Sequence, residues 1–229
     1  MKPEELPSWQ RPSTEALESA AREGRPLVIW FPAENEADAS FSGKEIADLS
    51  KTSALFLKVP YTADREKSPW ATESAVPTSK LLSDNPAREY GIKVGQSTIL
   101  VTDSWGNEHN RMTTAPNHKS LQSMVEKVKD KTEKDNTKLQ KNYDKAKAAH
   151  EKGDRKGALS AITSNFKTGL VGLSAQEETI RLYHTIMDEV RVQVKELAEK
   201  KDVEGLKNLA KEMRKTDVEK EINEAIKEG

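Results

Sequence analysis

Between Pro26 and Ala33 the chain reads PLVIWFPA, and no polar side chain interrupts it. The stretch has the length of a strand, and its β-branched and aromatic residues suit a pleated backbone better than a helix. A half-exposed strand is apolar at every second position. One that is apolar throughout must be buried on both faces, as in a sheet covered on either side.

The neighbouring signals alternate between helix and strand. TEALESAAREG places Ala16, Leu17, Ala20 and Ala21 at helical spacing and closes on Gly24, a favoured residue just beyond a helix end. After the strand comes an acidic loop, and Ser42-x-x-Glu45 has the form of a capping box ahead of Ile46 and Leu49. ALFLKV predicts a second strand. Residues 62–82, TADREKSPWATESAVPTSKLL, hold two prolines and no period, which predicts a long surface insertion of the kind that often carries binding. In NPAREYGI, Asn85 predicts a cap and Pro86 a first helical position. STILVTDSWGNEHNRM predicts two paired strands about a turn at 104–107, and HKSLQSMVEKV predicts a helix with Leu121, Met124, Val125 and Val128 on one face.

From about residue 126 onward the pattern is helical throughout. Ile180, Tyr183, Met187, Val190, Val194 and Leu197 form one apolar stripe, preceded by a second capping-box pattern, Ser174-x-x-Glu177. EKGDRKGAL at 151–159 and EKKDVEGLK at 199–207 share Glu-Lys-x-Asp-x-x-Gly. Each copy predicts a helix end, an Asp cap (Asp154, Asp202) and a second helix, hence two helical hairpins. The expected organisation is an α/β domain over 1–128 with the insertion at 62–82, a charged helical connector over 129–142, and an all-α helical-hairpin domain over 143–229.

Composition narrows the function. Aromatic residues make up 5% and charged residues 33%, which suits a helix-rich chain with a thin core. No run approaches the length of a transmembrane helix, and MKPEELPSWQ lacks the basic-then-apolar layout of a signal peptide, so the expectation is a chain without a membrane span whose compartment the sequence leaves open: the cytoplasm or, if an export signal has been removed, the periplasm. The absence of cysteine excludes disulfides, thiolate metal sites and thiol catalysis. The net charge is −1, and residues 126–156 are mildly basic, with 11 basic and 7 acidic side chains interleaved. With Tyr143 as its one aromatic and no Arg before Arg155, that segment reads as a solvated helix, so no nucleic-acid partner is expected. His109, His118, His150 and His184 show no ligand spacing and read as structural; no cofactor is expected.

The order of elements in 9–128 resembles the thioredoxin fold. Trp9 followed by ALESAAREGRPLVIWF resembles the segment in which a helix ends in a Lys/Arg-Pro pair and feeds the central strand, with Trp9 expected against the first helix. REYGIKVGQSTILVTDSWGNE resembles the later segment, in which Tyr-Gly-Ile precedes a strand and an Asp-x-x-Gly turn follows it. The resemblance covers slightly more than half the chain. With the C-terminal helices it extends to bacterial thioredoxin-like proteins that carry a helical, tetratricopeptide-like extension. In the family a Cys-x-x-Cys pair stands between the first buried strand and the next helix. Here Glu36-Ala37-Asp38-Ala39 falls in that place, and the family's cis-proline position falls on Gln96 or Ser97.

Neither carboxylate performs thiol exchange. The plain reading makes Glu36 and Asp38 partners of a helix N-terminus, a stabilisation of about 0.3–1 kcal/mol. The sharper one makes Glu34, Glu36 and Asp38 oxygen ligands of a hard cation, without the Gly and bidentate Glu of a calcium loop; no metal is expected. The implied function is a non-catalytic protein-interaction or scaffold module. A groove around Trp30, Glu36, Gln96 and Ser97 would take a peptide, Trp70 and Trp105 would serve as interface residues, and the helical domain would offer a second surface or a contact between copies. The rival readings are an enzyme with carboxylate- or metal-dependent chemistry at the former redox loop and a structural subunit of an assembly.

Overall fold

The apolar run forms β2 (Leu27–Phe31), in which every residue is buried. Its side chains divide by the period of the pleat. Leu27, Ile29 and Phe31 join a core with Leu17 and Ala20 of α1 (Thr14–Glu23), while Val28 and Trp30 join a second core with Ile46 and Leu49 of α2 (Lys44–Thr52) and Leu121 and Val125 of α4 (His118–Glu126). Helices therefore cover both faces. Each large side chain fully buried this way contributes about 1.5–3 kcal/mol, which explains why the run tolerates no polar residue.

The sheet is five-stranded, in the order β1-β3-β2-β4-β5. β1 (Trp9–Gln10), β3 (Leu55–Lys58) and β2 run parallel, and β4 (Thr98–Thr102) and β5 (Glu108–Met112) continue it antiparallel. This mixed sheet, flanked by helices, resembles the thioredoxin-like arrangement. The computed structural model describes residues 6–37, 41–60, 80–93 and 95–228, and the chain divides into two compact units, Met1–Asp135 and Asn136–Gly229.

Local rules placed several helix ends. Ser13 accepts a hydrogen bond from the Ala16 amide, Gly24 closes α1 at φ 63°, and Asn85 accepts from the Arg88 amide ahead of α3 (Pro86–Glu89). Both capping boxes failed. α2 is preceded by Gly43 with no side-chain cap. α7 (Ser174–Glu199) is preceded by Leu173, and its first turn is capped from a distance: Asn136 Oδ1 accepts from the Ala175 amide at 3.0 Å and lies 3.2 Å from the Ser174 hydroxyl. Trp9 also departs from expectation. It lies on β1 with its ring against Trp30, Phe41 and Phe56, because the register pairs it with Phe56 and carries it onto the α2 face of the sheet, away from α1.

Every regular element among the described residues of the second unit is an α-helix: the rest of α5 (Val128–Glu151), then α6 (Arg155–Phe166), α7, α8 (Val203–Glu212) and α9 (Glu219–Glu228). Its core joins Ala146, Ile162, Met187, Val190, Leu206 and Ile222 from successive helices. The duplicated motif has one geometry in both copies. Asp154 and Asp202 accept from the Gly157 and Gly205 amides, and their own amides donate back to Ala149 and Leu197 at 2.9 Å. A methyl group on Gly157 or Gly205 would strike the capping carboxylate.

The two copies differ at the residue before the cap. Gly153 takes φ 74° without strain, whereas Lys201 is forced to φ 53°. Lys201→Gly is accordingly expected to stabilise the chain by about 0.5–1 kcal/mol, because relief of the left-handed strain outweighs the entropy glycine adds to the unfolded chain. Gly153→Lys serves as the reciprocal control and should destabilise; chemical unfolding midpoints decide both.

Candidate functional site

The carboxyl ends of the parallel strands β2 and β3 and the start of antiparallel β4 meet at one edge of the sheet. Ligands of open α/β sheets bind outside the carboxyl ends of strands. Trp30 stands at this edge, opposite Lys58 on β3 and Ile99 on β4. It is 0% exposed, so it supports the edge from beneath and does not line a groove as expected from the sequence. Its indole Nε1 donates to Ser97 Oγ at 3.2 Å, and the Lys58 ammonium lies 4.6 Å above its ring. Ser97 is half-buried and Gln96 exposed.

The loop after β2 folds back on itself. Glu36 Oε2 accepts from the Ala33 amide at 2.8 Å, the Glu36 amide donates to the Ala33 carbonyl at 3.2 Å, and Asn35 supplies the left-handed residue at φ 59°. Asn tolerates that conformation better than most residues. The Glu36 carboxylate thus holds a turn well ahead of Lys44, where α2 begins, which replaces its expected role at a helix N-terminus. Glu34 sits exposed on the same turn. Asp38, Ala39, Trp70 and residues 62–79 of the insertion lie outside the described residues. Among the described residues no group of His, Asp and Glu is placed to hold a metal ion.

A second polar constellation is built on the Asp-x-x-Gly turn read in the sequence, at Asp103 and Gly106, and only its links to His109, Thr132 and Asp135 were not foreseen. Asp103, 3% exposed, closes the β4–β5 turn: Oδ1 accepts from the Trp105 and Asn107 amides, and Oδ2 from Asn107 Nδ2. Burial holds its carboxyl above the usual range, although the bonds from Asn107 and Trp105 and the nearby His109 pull the other way. The register of β5 slips between Asn110 and Glu108, leaving His109 as the extra residue of a bulge. Its side chain, 5% exposed, lies 3.9 Å from Asp103 Oδ2, 3.2 Å from Thr132 Oγ1 and 4.0 Å from Asp135 Oδ2, while Lys131 Nζ donates to its carbonyl.

Thr132, His109 and Asp135 invite comparison with a nucleophile, base and orienting acid. The bonding contradicts that. Thr132 gives its hydroxyl proton to the Val128 carbonyl at 2.9 Å, so His109 Nε2 must donate to Thr132 and has no proton to take. The cluster instead fastens the first turns of α5 to the edge strand. A Lys over an edge carbonyl and a bulge are both known ways of blunting such an edge. A sequence signal existed in the surplus residue between Asn107 and the alternating β5, but nothing in the sequence said which helix would meet it.

Burial pushes the His109 imidazole below its ordinary value, with Lys131 acting in the same direction and Asp103 and Asp135 opposing. The folded state therefore favours the neutral ring. The stabilisation from this site is complete above the unfolded value near 6.5 and is lost as pH falls through it toward the folded value. Unfolding midpoints measured from pH 7.5 to 5 are expected to fall more steeply for the wild type than for His109→Gln; parallel slopes would remove the imidazole from that dependence.

Trp105 is half-buried on the turn, and its backbone amide donates to Asp103 Oδ1. No described helix is long and apolar enough to cross a membrane. No protein-family model matches the chain, and no curated protein matches it. Among solved structures, one described as a DsbH oxidoreductase aligns with 55% of this chain and 90% of its own, at 15% sequence identity and a TM-score of 0.37. A likeness that distant carries nothing about activity.

Proposed function

We propose that the chain is a non-catalytic protein-interaction module. Its first unit receives an extended partner segment at the carboxyl edge of β2 and β3. Its helical unit, built from hairpins of the tetratricopeptide-like kind, supplies a second surface or a contact between copies. The observation that carries this reading is the Ala33–Glu36 turn. Where thioredoxin-like enzymes carry reactive thiols, this chain carries a carboxylate bound to its own backbone. A chain without cysteine has no thiol–disulfide exchange of its own. Exposed Glu34 and Gln96 and half-buried Ser97 give the edge groups that hydrogen-bond a peptide without reacting with it.

The test is a titration of the isotope-labelled protein with a mixture of unstructured hexapeptides. Amide shifts concentrated at residues 32–37 and 95–98 are the expected result. Shifts confined to 136–228 would overturn the reading. So would hydrolysis of chromogenic carboxylic or phosphoric esters that Glu34→Gln abolishes.

A further inference from the structure

We infer that His109 is an acid-operated latch: its neutral ring fastens the first turns of α5 to the edge strand β5, and protonation releases residues 129–135 while the sheet stays folded. Between Val128 and Leu139, both buried, α5 reads KDKTEKDNTK and holds no apolar residue. Apolar packing of these turns thus ends at Val128, which joins Leu121, Val125 and Trp30 in one core. What attaches the following turns to β5 is polar. Lys131 Nζ donates to the His109 carbonyl at 3.1 Å and to Asn110 Oδ1 at 3.0 Å, and Thr132 Oγ1 accepts from the His109 ring at 3.2 Å. Segments with few buried apolar contacts open locally, at a lower cost than global unfolding, and a short charged helical turn has little stability of its own once detached.

The ring makes this attachment sensitive to pH near neutrality, where an imidazole titrates. Its side chain is 5% exposed, so a charge placed on it loses most of its hydration. The groups facing it do not restore that loss. From the turn, Asp103 Oδ2 lies 3.9 Å away, beyond hydrogen-bond distance, and both oxygens of that carboxylate already accept from Trp105 and Asn107. From α5, Asp135 Oδ2 lies 4.0 Å away, and the Lys131 ammonium brings a like charge. On β5 itself, Glu108 and Arg111 pair with each other. Burial accordingly outweighs the two carboxylates, and the closed form favours the neutral ring. Opening returns the ring to water and its ordinary value, so the closed form is favoured in full above about pH 6.5 and loses ground as pH falls below it. Opening also withdraws Lys131 from the His109 carbonyl, and the outer edge of β5 loses the cation that blunts it.

The experiment is hydrogen–deuterium exchange of the full chain at pH 7.5 and 5.5, corrected for intrinsic exchange rates, beside the same measurement on His109→Gln. Protection of residues 129–135 is expected to fall by up to about tenfold at the lower pH, the limit for one ring that stays neutral when closed and titrates near 6.5 when open. His109→Gln should flatten that dependence. Local opening also requires these residues to be less protected than Val28, Ile29 and Trp30 of β2, and to exchange independently of low urea concentrations, which accelerate exchange through global unfolding. An NMR titration of the wild-type imidazole needs no variant, and its midpoint is expected below 6.5. A midpoint above 6.5 would overturn the latch. So would protection of 129–135 that matches β2 in size and urea dependence, that ignores pH, or that keeps its pH dependence in His109→Gln. Should that variant fail to fold, the imidazole titration and the comparison with β2 still decide.

Discussion

An Asp103→Ala variant should lose about 3–5 kcal/mol, because two backbone amides and the Asn107 side-chain amide lose their acceptor inside the protein and each unsatisfied group costs about 1–3 kcal/mol. The turn has few other supports: Gly106 donates to the Asp103 carbonyl, and the Tyr90 hydroxyl donates to Gly106. The tryptophans, Trp9, Trp30, Trp70 and Trp105, all fall within the first unit, so their fluorescence during urea unfolding reports on it. Asp103→Asn separates the acceptor from the charge. Its amide oxygen still takes the two backbone donors, and the expected loss is within about 1.5 kcal/mol.

The pH dependence provides a further check on the same residue. Since burial raises the Asp103 carboxyl, the stability this group contributes is complete below the unfolded aspartate value and is lost as pH rises through the folded one. The Asn variant should therefore gain on the wild type as pH rises through that interval. If Asp103→Ala unfolds no earlier than Asp103→Asn, the turn is held by something other than this carboxylate.

The second large effect is expected in the helical unit. Asn165 is 0% exposed; its Nδ2 donates to the Leu139 carbonyl of α5 and to Thr179 Oγ1 of α7, and its Oδ1 accepts from Asn142 Nδ2. One amide thus fixes α5, α6 and α7 in register. Asn165→Ala is expected to lose about 2–4 kcal/mol through the vacated volume and the broken network. Asn165→Asp should lose at least as much, because an oxygen replaces the donor and confronts the Leu139 carbonyl. Circular dichroism at the helical minimum follows this transition. Equal stability of the Asp variant and the wild type would show that the donor is not what holds the three helices.

Much of this architecture follows from residues that lie close together in sequence. PLVIWF specified a doubly buried strand, Ser13 and Asn85 specified caps, and Asp154 and Asp202 with their glycines specified two hairpin turns of one geometry. In each case the partners are within a few positions, so spacing alone brings them together. Interactions over longer separations were not legible. Asn136 took the capping role that Ser174 suggested for itself, and the buried Asn165 amide gave no periodic signal because it satisfies groups on helices that only packing makes neighbours.

The same division runs through the candidate site. The sequence by itself determined that no thiol chemistry belongs to this chain and that strand, loop and helix follow one another between Pro26 and Leu49, since composition and local pattern decide both. Only the tertiary structure decided that Glu36 serves its own turn, that Trp30 is covered, that Lys58 and Ser97 share its indole, and that His109 meets Asp103, Thr132 and Asp135. The physical reason is that strand order and register join residues far apart in the chain, and a polar side chain takes whichever partner that topology brings within hydrogen-bonding distance.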